Sequence, residues 1–402
     1  MAKLEKNLFE RLVQMRRDLH QHPELSCQEH RTADRVCAFL DQLPKVEYRR
    51  NVAGTGVVAE IVRGRFAEEA SWVALRADLD ALPIQEETGL PFASSVPGVM
   101  HACGHDVHTT GLLGAAALLA EESELDAPIR LLFQPAEETG DGAQAMIAAG
   151  ALRNVGMIFG GHVDQHYPVG TIVVAEGAVN ASSDTFVIHI QGQGGHAARP
   201  HQTIDAVVVG SLLVTALQTV VSREINPSNP AVLTVARFEA GTAPNVIADA
   251  ATLQGTVRAQ DADVRLRLEA ALKRMATSIG LLHGAKISVE VCRGTPALIN
   301  QGKAVELARN SAIDVVSHEQ VLPLESANMG GEDFSYYLEH VSGCYVRYGG
   351  RGNDQHEYPA HSAKFDVDES VLAVASSYLA RVAKMAGSYL ATAHCEKKGR
   401  TD

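Results

Sequence analysis

Thr109-Thr110-Gly111-Leu112-Leu113-Gly114-Ala115-Ala116-Ala117-Leu118-Leu119-Ala120 is the stretch on which the fold turns. Its residues are small or apolar on every side, so it reads as a buried helix. Strand-like runs flank it: Val57-Val58-Ala59-Glu60-Ile61-Val62 and Trp72-Val73-Ala74-Leu75-Arg76-Ala77 before, Ile129-Arg130-Leu131-Leu132-Phe133-Gln134 after. A short Gly/Ala helix, Gly142 to Ala149, leads to a further strand at Met157-Ile158-Phe159-Gly160-Gly161. Strands that alternate with helices predict an α/β domain with a largely parallel sheet.

Directly ahead of the buried helix stands Met100-His101-Ala102-Cys103-Gly104-His105-Asp106-Val107-His108. A thiol, three imidazoles and a carboxylate share this short run. They sit at a loop-to-helix junction, where backbone N–H groups and the helix dipole favour negative charge and thiolate. Other polar residues fall just after predicted strands: Asp78 and Asp80, Glu137 and Glu138, then His162. In open α/β sheets, ligands and catalytic groups gather at the carboxyl ends of strands.

From about Ser182 the pattern changes. Phe186-Val187-Ile188-His189-Ile190 alternates as a strand, and an apolar helix covers roughly Ile204 to Arg223. Strands follow at Val232 to Phe238 and Val246 to Val257, then a helix from Asp263 to Ile279 and a strand from Lys286 to Val291. The order β-α-β-β-α-β is that of a ferredoxin-like module. The chain then returns to its first pattern and closes on a long helix, Glu369 to Ala391. The expected organisation is an α/β catalytic domain with a central, mostly parallel sheet, residues 1–181 plus 294–402. A ferredoxin-like module of residues 182–293 interrupts it.

Composition agrees with this. At 402 residues the chain is long for one core. Its 46% hydrophobic and 21% charged residues are those of a soluble globular protein. A net charge of −13 with no Lys/Arg block speaks against nucleic acid or an anionic membrane as partner. The apolar stretches are expected to stop short of the ~18–20 residues that span a bilayer. Met1-Ala2-Lys3-Leu4-Glu5-Lys6-Asn7 is charged and lacks an apolar core, so no signal peptide is expected. The cysteines Cys27, Cys37, Cys103, Cys292, Cys344 and Cys395 show no C-x-x-C spacing. They are expected to be mostly small buried hydrophobes of a cytoplasmic protein.

Cys103 and His105, two apart on a loop, can converge on one point, and Cys and His are the usual S and N ligands of zinc-like ions. His101 and His108 read as supporting groups, and Asp106 as a carboxylate that orients a ligating imidazole. Glu137-Glu138 follows Phe133-Gln134-Pro135-Ala136, and adjacent carboxylates suit a division of labour: one binds metal, the other takes a proton from water. His162 and His361, taken singly, read as structural residues as readily as ligands. Gly194-Gly195-His196-Ala197-Ala198-Arg199-Pro200-His201 is not a nucleotide loop, because G-x-G-x-x-G and G-K-[ST] are both missing. An imidazole beside paired glycines suits oxyanion stabilisation instead. A cysteine nucleophile with His105 or His108 as base remains open, though the close spacing is poor for that geometry. So does a metal-binding or dimerisation protein without catalysis, against which the spare carboxylate argues.

In these motifs the chain resembles the M20 metallopeptidase superfamily, particularly its amidohydrolase branch of aminoacylase-like, hippurate hydrolase-like and auxin-conjugate hydrolase-like enzymes. The resemblance also takes in Leu19-His20-Gln21-His22-Pro23-Glu24-Leu25-Ser26, Arg76-Ala77-Asp78-Leu79-Asp80-Ala81-Leu82-Pro83, Asn245-Val246-Ile247 and Gly331-Glu332-Asp333-Phe334. It implies two divalent metal ions, Zn or Mn with Co or Ni also compatible. Cys103 would bridge them and His105, Glu138, His162 and His361 would complete the set. Glu137 would be the general base, and Asp80 would orient a ligand. The inserted module would be a lid or dimerisation domain in a homodimer or homotetramer, with His196 reaching the neighbouring active site to polarise the scissile carbonyl. Asn245 and Arg258 would contact substrate or oxyanion. The implied reaction is hydrolysis of the amide bond in a small N-acyl-amino acid; dipeptidase or carboxypeptidase action with the same site is the alternative. The run Val163-Asp164-Gln165-His166 is more polar than the branch usually shows, which bears on substrate choice. His356 is a second candidate for the last ligand, although Ala360-His361-Ser362 fits better.

Overall fold

The structure is a computed structural model that describes residues 4–66, 70–352 and 357–398; the first three residues and His356 lie outside the described residues. The chain divides into two compact units. One comprises Met1–Gly177, Ile299–Glu325 and Tyr336–Asp402, the other Ala178–Leu298 and Ser326–Ser335.

The first unit is built on an eight-stranded sheet. Its order is Val46–Val52, Gly56–Ile61, Ile129–Gln134, Trp72–Asp78, Val155–Pro168, Ser342–Arg351, Ile172–Val173, Val321–Leu322. The four strands from Ile129–Gln134 to Ser342–Arg351 run parallel, and antiparallel pairs finish the Val46–Val52 side. Ile129–Gln134 is buried at every position, as expected of a parallel strand covered on both faces. The apolar run 109–120 lies in the helix His105–Glu121, where only Leu118 and Glu121 escape full burial. Its glycines allow close packing on the helix Val371–Lys398. A Cβ at Gly114 would stand 2.1 Å from Ser376 Oγ, and one at Gly111 3.1 Å from Ala375 Cβ.

The second unit carries a four-stranded antiparallel sheet in the order Ala231–Ala240, Ala250–Ala259, Ser182–Gln191, Lys286–Cys292. Helices Ala206–Thr219 and Ala262–His283 cross between its strands. Phe186, Ile188, Leu213, Leu253, Leu268 and Leu272 form its core. Chain order and strand order together are those of the ferredoxin-like module. The architecture is therefore α/β, a mostly parallel sheet interrupted by a β-α-β-β-α-β insert.

Three local expectations differ from the structure. The strand expected to stop at Gly161 runs on to Pro168, with Val163, Gln165 and Tyr167 alternating inward. Gly161 is there for packing: a Cβ would meet Tyr348 Cε2 at 2.7 Å. The strand expected over Val246 to Val257 is two, Val246–Ile247 and Ala250–Ala259. Between them the carbonyls of Ala248 and Asp249 accept Ala206 N at 3.1 Å and Gly192 N at 2.7 Å, which turns the backbone aside. Nor do all apolar stretches stop short. Ala206–Glu224 is a helical stretch of 19 residues, long and apolar enough to cross a bilayer by length and composition. Its Ala206, Val209, Leu213, Leu217 and Val220 fill the core of the second unit. Among the described cysteines, Cys37, Cys103 and Cys344 are buried, but Cys27 and Cys292 are exposed.

Candidate metal centre

The cluster at the start of the buried helix is shaped by Gly104. It precedes the helix in the left-handed region at φ 86°, and a Cβ there would meet Val163 Cγ1 at 2.4 Å. Glycine alone satisfies both constraints. The turn aims Cys103 and His105 at one point, and Cys103 Sγ lies 3.3 Å from His162 Nε2. The donor atoms of Cys103, His105 and His162 lie within 4.8 Å of one another. So do those of Cys103, Glu138 and His361, and those of His105, Glu137 and Glu138. The first unit thus brings together the thiol, the three imidazoles and the carboxylate pair from separate elements.

Hydrogen bonds decide which ring nitrogen faces the centre. Nδ1 of His105 lies 3.2 Å from Asp80 Oδ1, so its Nε2 faces Glu137 Oε2 at 3.9 Å and Glu138 Oε1 at 3.8 Å. Nδ1 of His162 donates to the Val163 carbonyl at 2.6 Å, which leaves the Nε2 lone pair toward Cys103. His108 has no nitrogen to spare: Nε2 accepts the Val163 N–H at 2.9 Å and Nδ1 donates to Asp78 Oδ1 at 2.7 Å. His361 holds the left-handed region at φ 69°, donates its N–H to the Ala102 carbonyl at 2.7 Å, and places Nε2 3.6 Å from Glu138 Oε1. Asp80 Oδ2 receives both the Glu138 N–H at 3.0 Å and the Ser26 hydroxyl at 2.7 Å. Arg76 Nη1 braces Asp78 Oδ2 at 2.6 Å.

The electrostatics ask for a cation. Burial, then the Glu138 charge, push the Cys103 thiol far above its ordinary value, so a thiolate forms here only beside positive charge. Burial raises Asp80, but the hydrogen bond and charge of His105, with the hydrogen bonds from Ser26 and the Glu138 N–H, together outweigh it and hold that carboxyl low. Burial, then His108 and Arg347, keep His162 well below its usual range, unprotonated as a ligand must be. His105 Nε2 and Glu138 Oε1 are shielded from solvent and lack any hydrogen-bond partner. Orphaned polar atoms are costly in a protein interior. Facing each other among sulfur, imidazole and carboxylate donors, they fit a divalent ion of the zinc or manganese kind.

Asp106 does not orient a ligating imidazole, contrary to the sequence expectation. Its Oδ2 takes Arg16 Nε at 2.8 Å and His20 Nδ1 at 2.8 Å. Asp80 and Asp78 do the orienting, for His105 and His108. Nε2 of His20 reaches Glu86 Oε1 at 3.3 Å, and carboxylates only accept, so His20 donates from both nitrogens as an imidazolium. Arg16, fully buried, also reaches Asp366 at 3.1 Å and Glu369 at 3.5 Å. His101 has no partner on either nitrogen, and burial pulls its pKa down to about 4. Arg16, Ser26 and Glu29 were not singled out from sequence; Ser26 closes the quoted Leu19–Ser26 motif, which was its only signal.

His196, Asn245 and Arg258 belong to the second unit. Gly195–His196 pairs with Val246–Ile247, and the Asn245 carbonyl accepts Ala197 N at 3.1 Å, so His196 and Asn245 are neighbours. Nδ1 of the exposed His196 accepts Ala198 N at 3.0 Å, leaving Nε2 outward. Arg258 donates from Nη1 to the Met329 carbonyl at 2.9 Å.

The chain is similar to known proteins along most of its length. Residues 74–385 match the description Peptidase family M20/M25/M40. The chain is 41% identical over 387 residues to N-acetylcysteine deacetylase of Bacillus subtilis, covering 94% of this chain and 97% of that protein. It is 38% identical over 369 residues to thermostable carboxypeptidase 1 of Saccharolobus solfataricus, covering 90% and 91%. The solved structure of the Bacillus subtilis YXEP protein, described as a dinuclear metal binding peptidase from the M20 family, superposes with a TM-score of 0.84 at 38% identity, covering 96% of this chain and 99% of that one. With the ligand-rich first unit and the ferredoxin-like insert, these matches show that the chain belongs to peptidase family M20/M25/M40.

Proposed function

We propose that this protein is a metal-dependent amidohydrolase that cleaves the amide bond joining an acyl group to an amino acid. The observation that carries the reading is the carboxylate pair: Glu137 and Glu138 both face His105 Nε2, at 3.9 and 3.8 Å. One is enough for a ligand, and the other is left for proton transfer. Cys103, His105, Glu138, His162 and His361 would hold two divalent ions, zinc or manganese, with cobalt or nickel as alternatives. Such a pair lowers the pKa of a water toward ~7 and polarises a carbonyl. Glu137 takes the proton from the attacking water and returns it to the departing amine. Asp80 fixes His105 and the Glu138 backbone while this happens.

The ferredoxin-like module, residues 182–293, serves as lid and dimerisation domain to a catalytic domain of residues 1–181 plus 294–402. His196 polarises the scissile carbonyl of the neighbouring subunit, and Asn245 and Arg258 contact the substrate. A homodimer or homotetramer is supported by exposed Val207, Val208 and Leu212 on one helix, and by the open edge strand Ala231–Ala240. Free thiols at the described cysteines are in keeping with a cytoplasmic enzyme.

The test is a panel of N-acetyl-, N-benzoyl- and indole-acetyl-amino acids alongside dipeptides, assayed with added Mn or Zn and after chelation. Metal-restored cleavage of an N-acyl-amino acid is expected. Activity that survives chelation would point to the Cys103 nucleophile, and cleavage of peptides alone to the dipeptidase or carboxypeptidase alternative.

A further inference from the structure

Between the helices Lys6–Gln21 and His30–Leu40 runs the turn Pro23-Glu24-Leu25-Ser26-Cys27-Gln28-Glu29, which supplies no candidate ligand. It nevertheless grips the carboxylate loop at two points. Ser26 Oγ donates to Asp80 Oδ2 at 2.7 Å, the oxygen that also takes the Glu138 N–H at 3.0 Å. Glu29 Oε1 accepts the Ala136 N–H at 2.9 Å and the Cys27 N–H at 2.9 Å, while its Oε2 accepts the Thr55 hydroxyl at 2.5 Å.

Ala136 is the residue directly before Glu137, and it sits in the left-handed region at φ 56°. A residue with a Cβ stays there only when its surroundings hold it. The Ala136 carbonyl is also engaged, accepting Gly142 N at 3.1 Å, so the peptide units on both sides of the Ala136 Cα are tied. Glu29 itself is fully buried and its described partners are all uncharged donors. A buried carboxyl with no cation opposite costs stability. Burial moreover pushes it above its ordinary pKa. Its carboxylate is taken up by the Ala136, Cys27 and Thr55 donors, two of which belong to buried residues that would otherwise lack this acceptor.

We infer that Glu29 is a positioning residue for the carboxylate pair: through the Ala136 N–H it fixes the strained turn that presents Glu137 and Glu138 to His105. This rests on the reading of Glu137 as base and Glu138 as ligand. Three variants test it. Glu29→Ala removes the acceptor, Glu29→Asp withdraws it by one methylene, and Glu29→Gln keeps an acceptor oxygen without the charge. Two quantities are read: kcat and KM on an N-acetyl-amino acid, and zinc affinity by competition with a chromophoric chelator. Glu29→Ala and Glu29→Asp should lose about 10- to 100-fold in kcat and in zinc affinity, as removal of outer hydrogen-bond partners does. KM should stay within about two-fold, because no substrate contact is touched. Glu29→Gln should recover both quantities to within about three-fold of wild type, since the acceptor is what positions.

A folded Glu29→Ala with wild-type kcat and affinity overturns the inference. If that variant does not fold, Glu29→Asp decides on the same two readouts. Glu29→Gln as impaired as Glu29→Ala also overturns it, because charge rather than the hydrogen bond would then be at work. If wild type neither binds zinc nor hydrolyses the panel, the activity reading itself has failed. If wild type is metal-dependent and the variants match it, only the role of Glu29 has.

Discussion

His105 Nε2 and Glu138 Oε1 face each other 3.8 Å apart, both shielded from solvent and neither hydrogen-bonded. Glu137 Oε2 is 3.9 Å from the same nitrogen. The neighbours should therefore separate on mutation. Glu137→Ala should leave metal content intact and cut kcat by about 10²- to 10⁴-fold, the usual worth of a positioned base. Glu138→Ala should lower metal content. Metal analysis beside steady-state kinetics checks both, and retained turnover in Glu137→Ala removes it as the base.

Cys103→Ser keeps the shape of the turn but replaces a soft donor with a hard, poorly ionised one. Metal stoichiometry should fall on dialysis, and inhibition by a chelator should become faster. An unchanged stoichiometry takes Cys103 out of the ligand set.

Gly104→Ala combines left-handed strain with a Cβ placed 2.4 Å from Val163 Cγ1. Strain and overpacking together should cost about 2–5 kcal/mol. Chemical denaturation of the metal-free protein measures this, and a loss below about 1 kcal/mol would mean that the turn relaxes freely.

Burial lowers the His20 imidazole, but the Asp106 charge and the hydrogen bonds to Asp106 and Glu86 together outweigh it, so folding raises His20 above its ordinary 6.5. The folded state thus binds the extra proton more tightly than the unfolded chain does. The stability it contributes is fully present below pH 6.5 and is lost as pH rises through the raised value. The difference in urea midpoint between wild type and His20→Gln should be largest on the acid side and shrink in alkali. A difference that grows with pH contradicts the imidazolium.

Val208 is 49% exposed on a helix of the second unit. If that face joins two copies, Val208→Asp should lower the sedimentation mass without changing the circular dichroism spectrum. An unchanged mass moves the interface elsewhere.

Much of the fold was legible because apolar periodicity is a collective signal. The buried helix and the order of strands in the insert stand on many residues each. The candidate ligands were visible because cysteine, histidine and paired carboxylates are sparse and chemically loud. What was hidden depends on contacts across long stretches of sequence. Asp106 looks from sequence like a partner for the adjacent His105, yet Arg16 and His20 claim it from the first helix. Gly160-Gly161 looks like a strand end, yet Gly161 makes room for Tyr348. Glu29 carries no spacing pattern at all; its meaning lies in the backbone of Ala136.

The ties behind the candidate centre also bear on how the protein is made. Glu29 reaches Ala136 across 107 residues of sequence, and Arg16 reaches Asp366 across 350. During synthesis the N-terminal helix leaves the ribosome long before Asp366 and Glu369, two of the three carboxylates that engage its buried guanidinium, exist. At a typical ~5–20 residues per second the wait is tens of seconds. Meanwhile Asp106 is the only one of these carboxylates available to Arg16, and the first unit is incomplete until residues 366–369 have emerged. Nascent chains halted before that point should lack a protected N-terminal helix, and protection should appear in one late step.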